Sequence, residues 1–325
     1  MDGSVQNLEH LRSIASLDVL QNEVGNIGLT PGWIPRKQPI LWHEPKSKFL
    51  PMHWRYAEAK AAMEAAGRLI GTDLAERRNL VMRNPIEGNN FATTNTLVCA
   101  YQTILPREEA RSHRHAPHAL RVILEAEGAF SIVDGEKTPM NSGDVVLTPG
   151  GCWHGHGHDG SEQAYWFDGL DVPLNHLLEP MFVEDHPAGF EPVRTVADRS
   201  PMRFKRDDIL AALDKAPLDP EGFYGNRLPL DAPSIPTMGL HVRKYKSGYK
   251  SRPYRSTANT IFLVMQGNGT STIDGVKMDW AFGDTFVAPL WTRIEHTAKD
   301  DAILFSMTDE PLMRWAKYFR FEALS

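Results

Sequence analysis

The chain carries 13 histidines in 325 residues, and a cluster of them falls between positions 113 and 158: His113, His115, His118, His154, His156 and His158. In the run Ser-His-Arg-His, His113 and His115 stand two apart. Residues i and i+2 of a strand point to one face, so these imidazoles form a preset pair of metal ligands. His154 follows after a hairpin and a further strand pair, which brings a third strand beside the first and adds a third imidazole. Taken singly, a His-x-His pair also occurs on solvated strand edges, and a run such as HGHGH on surface loops. Together in one β-rich stretch they point to three neutral nitrogens on one side of a metal, with roughly three positions left open.

The elements that must position these rings are short strands. From about 92 to 170, the runs TLVCAYQTIL, ALRVIL, AFSIVDG, DVVLTP and AYWFDGL alternate with turn residues. From about 237 the same texture returns in GLHVRKY, TIFLVMQG, GTSTIDG, DTFVAPL and AILFSMT. The two stretches repeat one another. Asp134-Gly135, Gly143-Asp144 and Pro149 recur, at the same spacing, as Asp274-Gly275, Gly283-Asp284 and Pro289. A repeated run of strands implies two related β-barrels in tandem. The expected fold is mainly β, with two jelly-roll barrels preceded by an N-terminal arm and helix. The arm and helix take 1–90, the first barrel 91–185, a connector 186–235, and the second barrel with a C-terminal helix 236–325. The arm, 1–54, shows little helical periodicity and reads as a segment that embraces a neighbour through Trp33, Trp42 and Trp54. Residues 55–71 are alanine-rich and predict a helix, as does 207–216. In the second copy SRPYRSTANT stands where the first has HRHAPHALR. His296, aligned with His154, is then a lone inward histidine, and the expectation is one metal per chain, in the first barrel.

Composition narrows the function classes. Hydrophobic residues are 42% and charged residues 23%, typical of a folded globular chain. The formal charge of -6 argues against nucleic acid. The longest apolar run, IFLVM, is too short to span a membrane. The first residues lack the pattern of a signal peptide, and two cysteines cannot make a disulfide framework. A cytoplasmic location is expected.

GDVVLTPGGCWH fits the second cupin motif through Gly143, Pro149, Gly151 and His154, and SHRHAPHALRVILEAEG resembles the first. The glutamate that often serves cupins as a fourth ligand is absent; Ala119, Leu120 and Arg121 occupy its neighbourhood. With WHGHGHDG and YWFDGLDVPL, the stretch 77–180 resembles the gentisate and salicylate 1,2-dioxygenases, which are two-cupin (bicupin) enzymes. The resemblance implies Fe(II) held by His113, His115 and His154, and ring cleavage between the carboxyl-bearing and hydroxyl-bearing carbons of an ortho-hydroxy aromatic acid. It further implies O2 as co-substrate and a homotetramer. Arg121 is placed against the substrate carboxylate and His156 near the hydroxyl or oxygen, as proton carrier. Gln102, Asp168 and Val98 line the pocket, and Arg77 or Arg78 supplies a second anchor. Val98 and the small run Gly150-Gly151-Cys152 stand where relatives are bulkier, which favours gentisate or a 5-substituted salicylate such as 5-nitrosalicylate, with 1-hydroxy-2-naphthoate as the alternative. A different cupin metalloenzyme and a non-catalytic binding barrel are the rival classes. His118 and His158 match no role in the family and read as structural or exposed.

Overall fold

A computed structural model describes residues 2–34, 40–71 and 78–325, with side chains from residue 8. Residues 1–44 and 45–325 form separate compact units. The first unit corrects the reading of the arm as irregular: Asp2–Ser13 and Leu17–Asn26 are helices. The apolar residues of VQNLEHLRSIASLDVLQNEV recur at helical spacing, and the proline-rich remainder masked this. Trp33 and Trp42 are exposed.

In the second unit the two barrels are each built from two sheets. In the first barrel one sheet runs Arg203–Phe204, Val145–Thr148, Ala119–Glu125, Ala164–Leu170, Val98–Ile104, Arg78–Val81. Its other sheet runs Val183–Asp185, Glu109–His115, His154–His158, Ala129–Val133, Glu136–Met140, Thr195–Val196. The second barrel repeats this order with Met52–Trp54 in the place of Arg203–Phe204, Gly239–Tyr245 in that of Val98–Ile104 and Ile294–Ala298 in that of His154–His158, but its second sheet has five strands, with no counterpart of Thr195–Val196 among the described residues. The Asp-Gly turns join matching hairpins, with Asp134 and Asp274 both at positive φ. The stretch read as a connector contributes strands to both barrels: Arg203–Phe204 pairs with Val145–Val146, and Asn226–Leu230 with Gly239–Tyr245.

The barrels meet back to back. Leu120, Val122, Val145 and Leu147 of the first pack with Leu240, Val242, Ile261, Leu263 and Phe305 of the second in one core. Strands covered on both faces carry continuous apolar runs, which explains IFLVM. Separate cores fill the interiors, around Ile123, Val146 and Trp166 in the first barrel and around Phe262, Trp280 and Phe286 in the second. The expected helix at 55–71 spans Tyr56–Leu69, and that at 207–216 spans Arg206–Leu213. The C-terminal helix is shorter than expected: it ends at Trp315, and Phe321–Ala323 turns back as a strand beside Tyr254–Ser256. No helix among the described residues is long and apolar enough to cross a membrane.

Candidate metal centre

His113 and His115 project from one face of Glu109–His115, and the antiparallel register sets His113 directly opposite His154. One ring nitrogen from each of His113, His115 and His154 lies within 4.8 Å of the others. The ring centroids are 4.5 to 5.5 Å apart. Backbone carbonyls set the tautomers. His115 Nδ1 donates to the Pro117 carbonyl at 2.8 Å, and His154 Nδ1 donates to the Cys152 carbonyl at 3.1 Å. Each bond holds the hydrogen on Nδ1 and leaves the Nε2 lone pair to a metal, the usual arrangement of a ligating histidine. No carboxylate joins the three rings among the described residues. The donor set therefore fits a divalent metal with open positions.

Two turns clasp one another to hold this geometry. Gly151 N–H donates to the His115 carbonyl at 2.8 Å, and Gly150 N–H donates to His118 Nδ1 at 2.9 Å. The His118 N–H is itself held by Asp171 Oδ1 at 2.8 Å. His118 thus has a definite structural task. Gly150 is demanded by this contact: a Cβ there would lie 2.2 Å from the Ala116 carbonyl oxygen. Gly150 and Gly151 accordingly act as a clasp between the two histidine-bearing turns. The Cys152 thiol, pushed up to about 12 by burial and by the Asp134 carboxylate, lies by the hairpin turn.

Side chains of the opposite sheet complete the interior. Arg121 is 2% exposed; its Nε lies 3.2 Å from Asp168 Oδ1, and its Nη1 donates to Thr148 Oγ1 at 2.7 Å. Asp168 sits opposite both Arg121 and Ala100 in the ladder. Gln102 and Val98 share Ala100's face by alternation and are buried. His156 lies on the same face as His154, its centroid 6.1 Å from that ring and 6.0 Å from Trp166. Thr148 and Trp166 belong to this set and were missed; strand parity in DVVLTP and AYWFDGL was the available signal. Arg78 is not brought to the site. It pairs with Thr103, on the reverse face from Gln102, and its guanidinium donates to Glu108 and to the Ile70 carbonyl. Arg77 lies outside the described residues. His158 is buried and structural: Nε2 donates to the Glu162 carbonyl, and Gly160 N–H donates to Nδ1.

The second barrel corrects one alignment. His296 sits opposite Ser271 as His156 sits opposite Ser131, so it matches His156 and not His154. The positions of His113, His115 and His154 are taken by Tyr254, Ser256 and Ile294. His296 is held neutral, its pKa pushed down to about 3 by burial.

Residues 100–172 match the Cupin domain family. The chain is 34% identical over 323 residues to gentisate 1,2-dioxygenase 1 of Aquipseudomonas alcaligenes, covering 90% of this chain and 92% of that protein. It is 32% identical to 5-aminosalicylate 1,2-dioxygenase of Comamonas sp, over 94% of this chain and 90% of that one. The solved structure of salicylate 1,2-dioxygenase from Pseudoaminobacter salicylatoxidans, as an adduct with gentisate, superposes with a TM-score of 0.82 at 25% identity, covering 96% of this chain and 94% of that one. Identity and coverage of this extent make the chain a member of the gentisate/salicylate 1,2-dioxygenase family of two-barrel, ring-cleaving dioxygenases.

Proposed function

We propose that the chain binds one Fe(II) through His113, His115 and His154 and cleaves gentisate or a 5-substituted salicylate between the carboxyl-bearing and hydroxyl-bearing carbons. The observation that carries this reading is the convergence of three imidazole nitrogens, one each from His113, His115 and His154. Such a set leaves room for a bidentate anion and O2. When bound, iron supplies the electronic route between the aromatic ring and O2.

The protein's own groups bind, orient and move protons. Arg121 presents its guanidinium to the substrate carboxylate, and a planar fork matches that anion. Asp168 and Thr148 fix the fork's direction, so Asp168 acts as a positioning residue through Arg121. His156 takes the proton of the substrate hydroxyl at a ring nitrogen. Gln102 and Val98 line the wall, and Val98 leaves space beside the ring for a 5-substituent. The named activities of the relatives, on gentisate and 5-aminosalicylate, support this substrate class.

Anaerobic Fe(II) loading followed by oxygen uptake on gentisate, salicylate, 5-aminosalicylate, 5-nitrosalicylate and 1-hydroxy-2-naphthoate tests the reading. Turnover of 5-substituted salicylates at least equal to that of salicylate is expected. No oxygen uptake with any of the five defeats the assignment, and strict preference for gentisate defeats the role given to Val98.

A further inference from the structure

The second barrel holds a group of buried N–H donors that meet no acceptor among the described residues. Asn226–Leu230 pairs with Gly239–Tyr245 so that Arg227 lies opposite Arg243. Opposed residues share a face, and alternation puts His241 on it as well. The guanidinium carbons of Arg227 and Arg243 lie 4.5 Å and 4.9 Å from the centre of the same Tyr224 ring. Arg227 Nη2 donates to His241 Nε2 at 2.7 Å. Burial and the two guanidiniums push His241 down to about 2, so the ring is neutral with its hydrogen on Nδ1. Arg227 Nε, Arg243 Nε and His241 Nδ1 have no hydrogen-bond partner among the described residues. Each is a donor, and a buried donor without an acceptor is costly to leave unmatched.

Charge points the same way. Arg243 is 3% exposed; its Nη1 donates to Tyr254 Oη at 3.2 Å. No carboxylate pairs with it among the described residues. Arg227 has Glu310 at 3.7 Å, and Arg314 also donates to that carboxylate, at 2.7 Å. The surroundings are aromatic: Tyr224 and Tyr254 centroids are 5.3 Å apart, and Tyr254 stacks on Phe321 at 5.7 Å. Arg227, Tyr224 and His241 are half-buried, so the group is reachable from solvent. In the repeated ladder Arg243 occupies the place that Gln102 has in the first barrel, on the inward face.

From these donors, charges and rings we infer that the C-terminal barrel carries a second, non-catalytic site for a small aromatic carboxylate, gripped between Arg227, Arg243 and His241. It is independent of the metal centre and of the reading given to that centre.

The probe is 3-iodobenzoate, crystallised with the iron-loaded full chain and titrated calorimetrically. Anomalous iodine density against Arg227 and Arg243 is expected, whatever the first barrel binds. Arg227→Met and Arg243→Met should each weaken this site at least about tenfold, because a charge-assisted hydrogen bond is lost, leaving one fewer bound iodobenzoate per chain at the same ligand concentration. Arg227→Met, at the half-buried position, should keep the native iron content and turnover, which separates loss of the site from misfolding. Iodine density confined to the first barrel, or an Arg227→Met chain with native stoichiometry, overturns the proposal. Displacement of iodobenzoate by equimolar inorganic phosphate overturns its aromatic part, since an anion alone would then suffice.

Discussion

Replacing Gly150 by alanine should break the clasp that aligns His115 with His154. The added Cβ would lie 2.2 Å from the Ala116 carbonyl oxygen, where real contacts do not come under 3.0 Å. The opposing atom is backbone and cannot swing aside, so one turn must move by about 0.8 Å, the difference of those two distances. That motion strains Gly150 N–H to His118 Nδ1 and Gly151 N–H to the His115 carbonyl, the bonds that tie one ligand-bearing turn to the other. Loss of groups that orient metal ligands costs about 10–100-fold in metal affinity. A misplacement near 1 Å costs on the order of 100-fold in rate. The assay is iron retention against a competing chelator, followed by kcat/KM at saturating Fe(II). Gly151→Ala is the control. Gly151 has φ +83 with nothing near its missing Cβ, so alanine there should lower stability by about 1–2 kcal/mol through backbone strain while iron affinity holds. A Gly150→Ala enzyme that retains iron as tightly as the native one, with turnover within about twofold, would refute the clasp.

Elemental analysis of the native chain should give one iron, and His115→Ala should lose iron and ring cleavage together; two irons per chain, or an active His115→Ala enzyme without iron, contradicts the assignment. Arg121→Lys keeps a charge beside buried Asp168 but loses the fork, so KM should rise about tenfold or more; an unchanged KM removes Arg121 from the carboxylate site. Asp309 is buried among Thr96 and Asn259 donors, and desolvation lifts its pKa from 3.8 to about 6. Between those values the folded chain keeps a proton that the unfolded chain has released. Its contribution is therefore present below about pH 4 and is lost as pH rises through about 6, by about 3 kcal/mol in all. Urea unfolding of Asp309→Asn between pH 4 and 6 should show that component missing relative to the native chain; parallel profiles would contradict it.

The strands, the duplication and the histidine triad were legible because each leaves a local mark. Period-two patterning, paired Asp-Gly turns and a His-x-His spacing are all read within a few residues. What escaped depends on register. The match of His296 to His156 is a matter of counting: each stands 13 residues after its turn glycine, Gly283 or Gly143, while His154 stands only 11 after Gly143, and pairing by residue type alone hides that two-residue offset. Arg78 looked like an anchor by residue type, yet one step along a strand decides which face it takes, and it faces Glu108. His118 has no recognisable spacing because its partners, Gly150 and Asp171, are distant in sequence and meet only through the fold. The helices at 2–13 and 17–26 were hidden by the prolines that follow them.

The second barrel has a mechanical connection to the candidate metal centre. Thr237 Oγ1 donates to Asp171 Oδ2 at 2.6 Å, Asp171 Oδ1 holds the His118 N–H, and His118 Nδ1 holds Gly150, four residues before His154. The duplication builds the mirror lock: Thr96 of the first barrel donates to Asp309 Oδ2 at 2.5 Å, Asp309 Oδ1 holds the Asn259 N–H, and Asn259 Oδ1 holds Leu290 N–H. The two locks are chemically alike, but only the first ends at a ligand loop. Thr237→Val and Thr96→Val each leave one buried carboxylate short of a donor, so each should lower stability by about 1–3 kcal/mol. Iron affinity should separate them: Thr237→Val should weaken it several-fold by loosening Gly150, while Thr96→Val should leave it unchanged. Equal iron affinities in the two variants would mean that the second barrel supports the first only as bulk packing, and that the chain of hydrogen bonds from Thr237 does not reach the histidines.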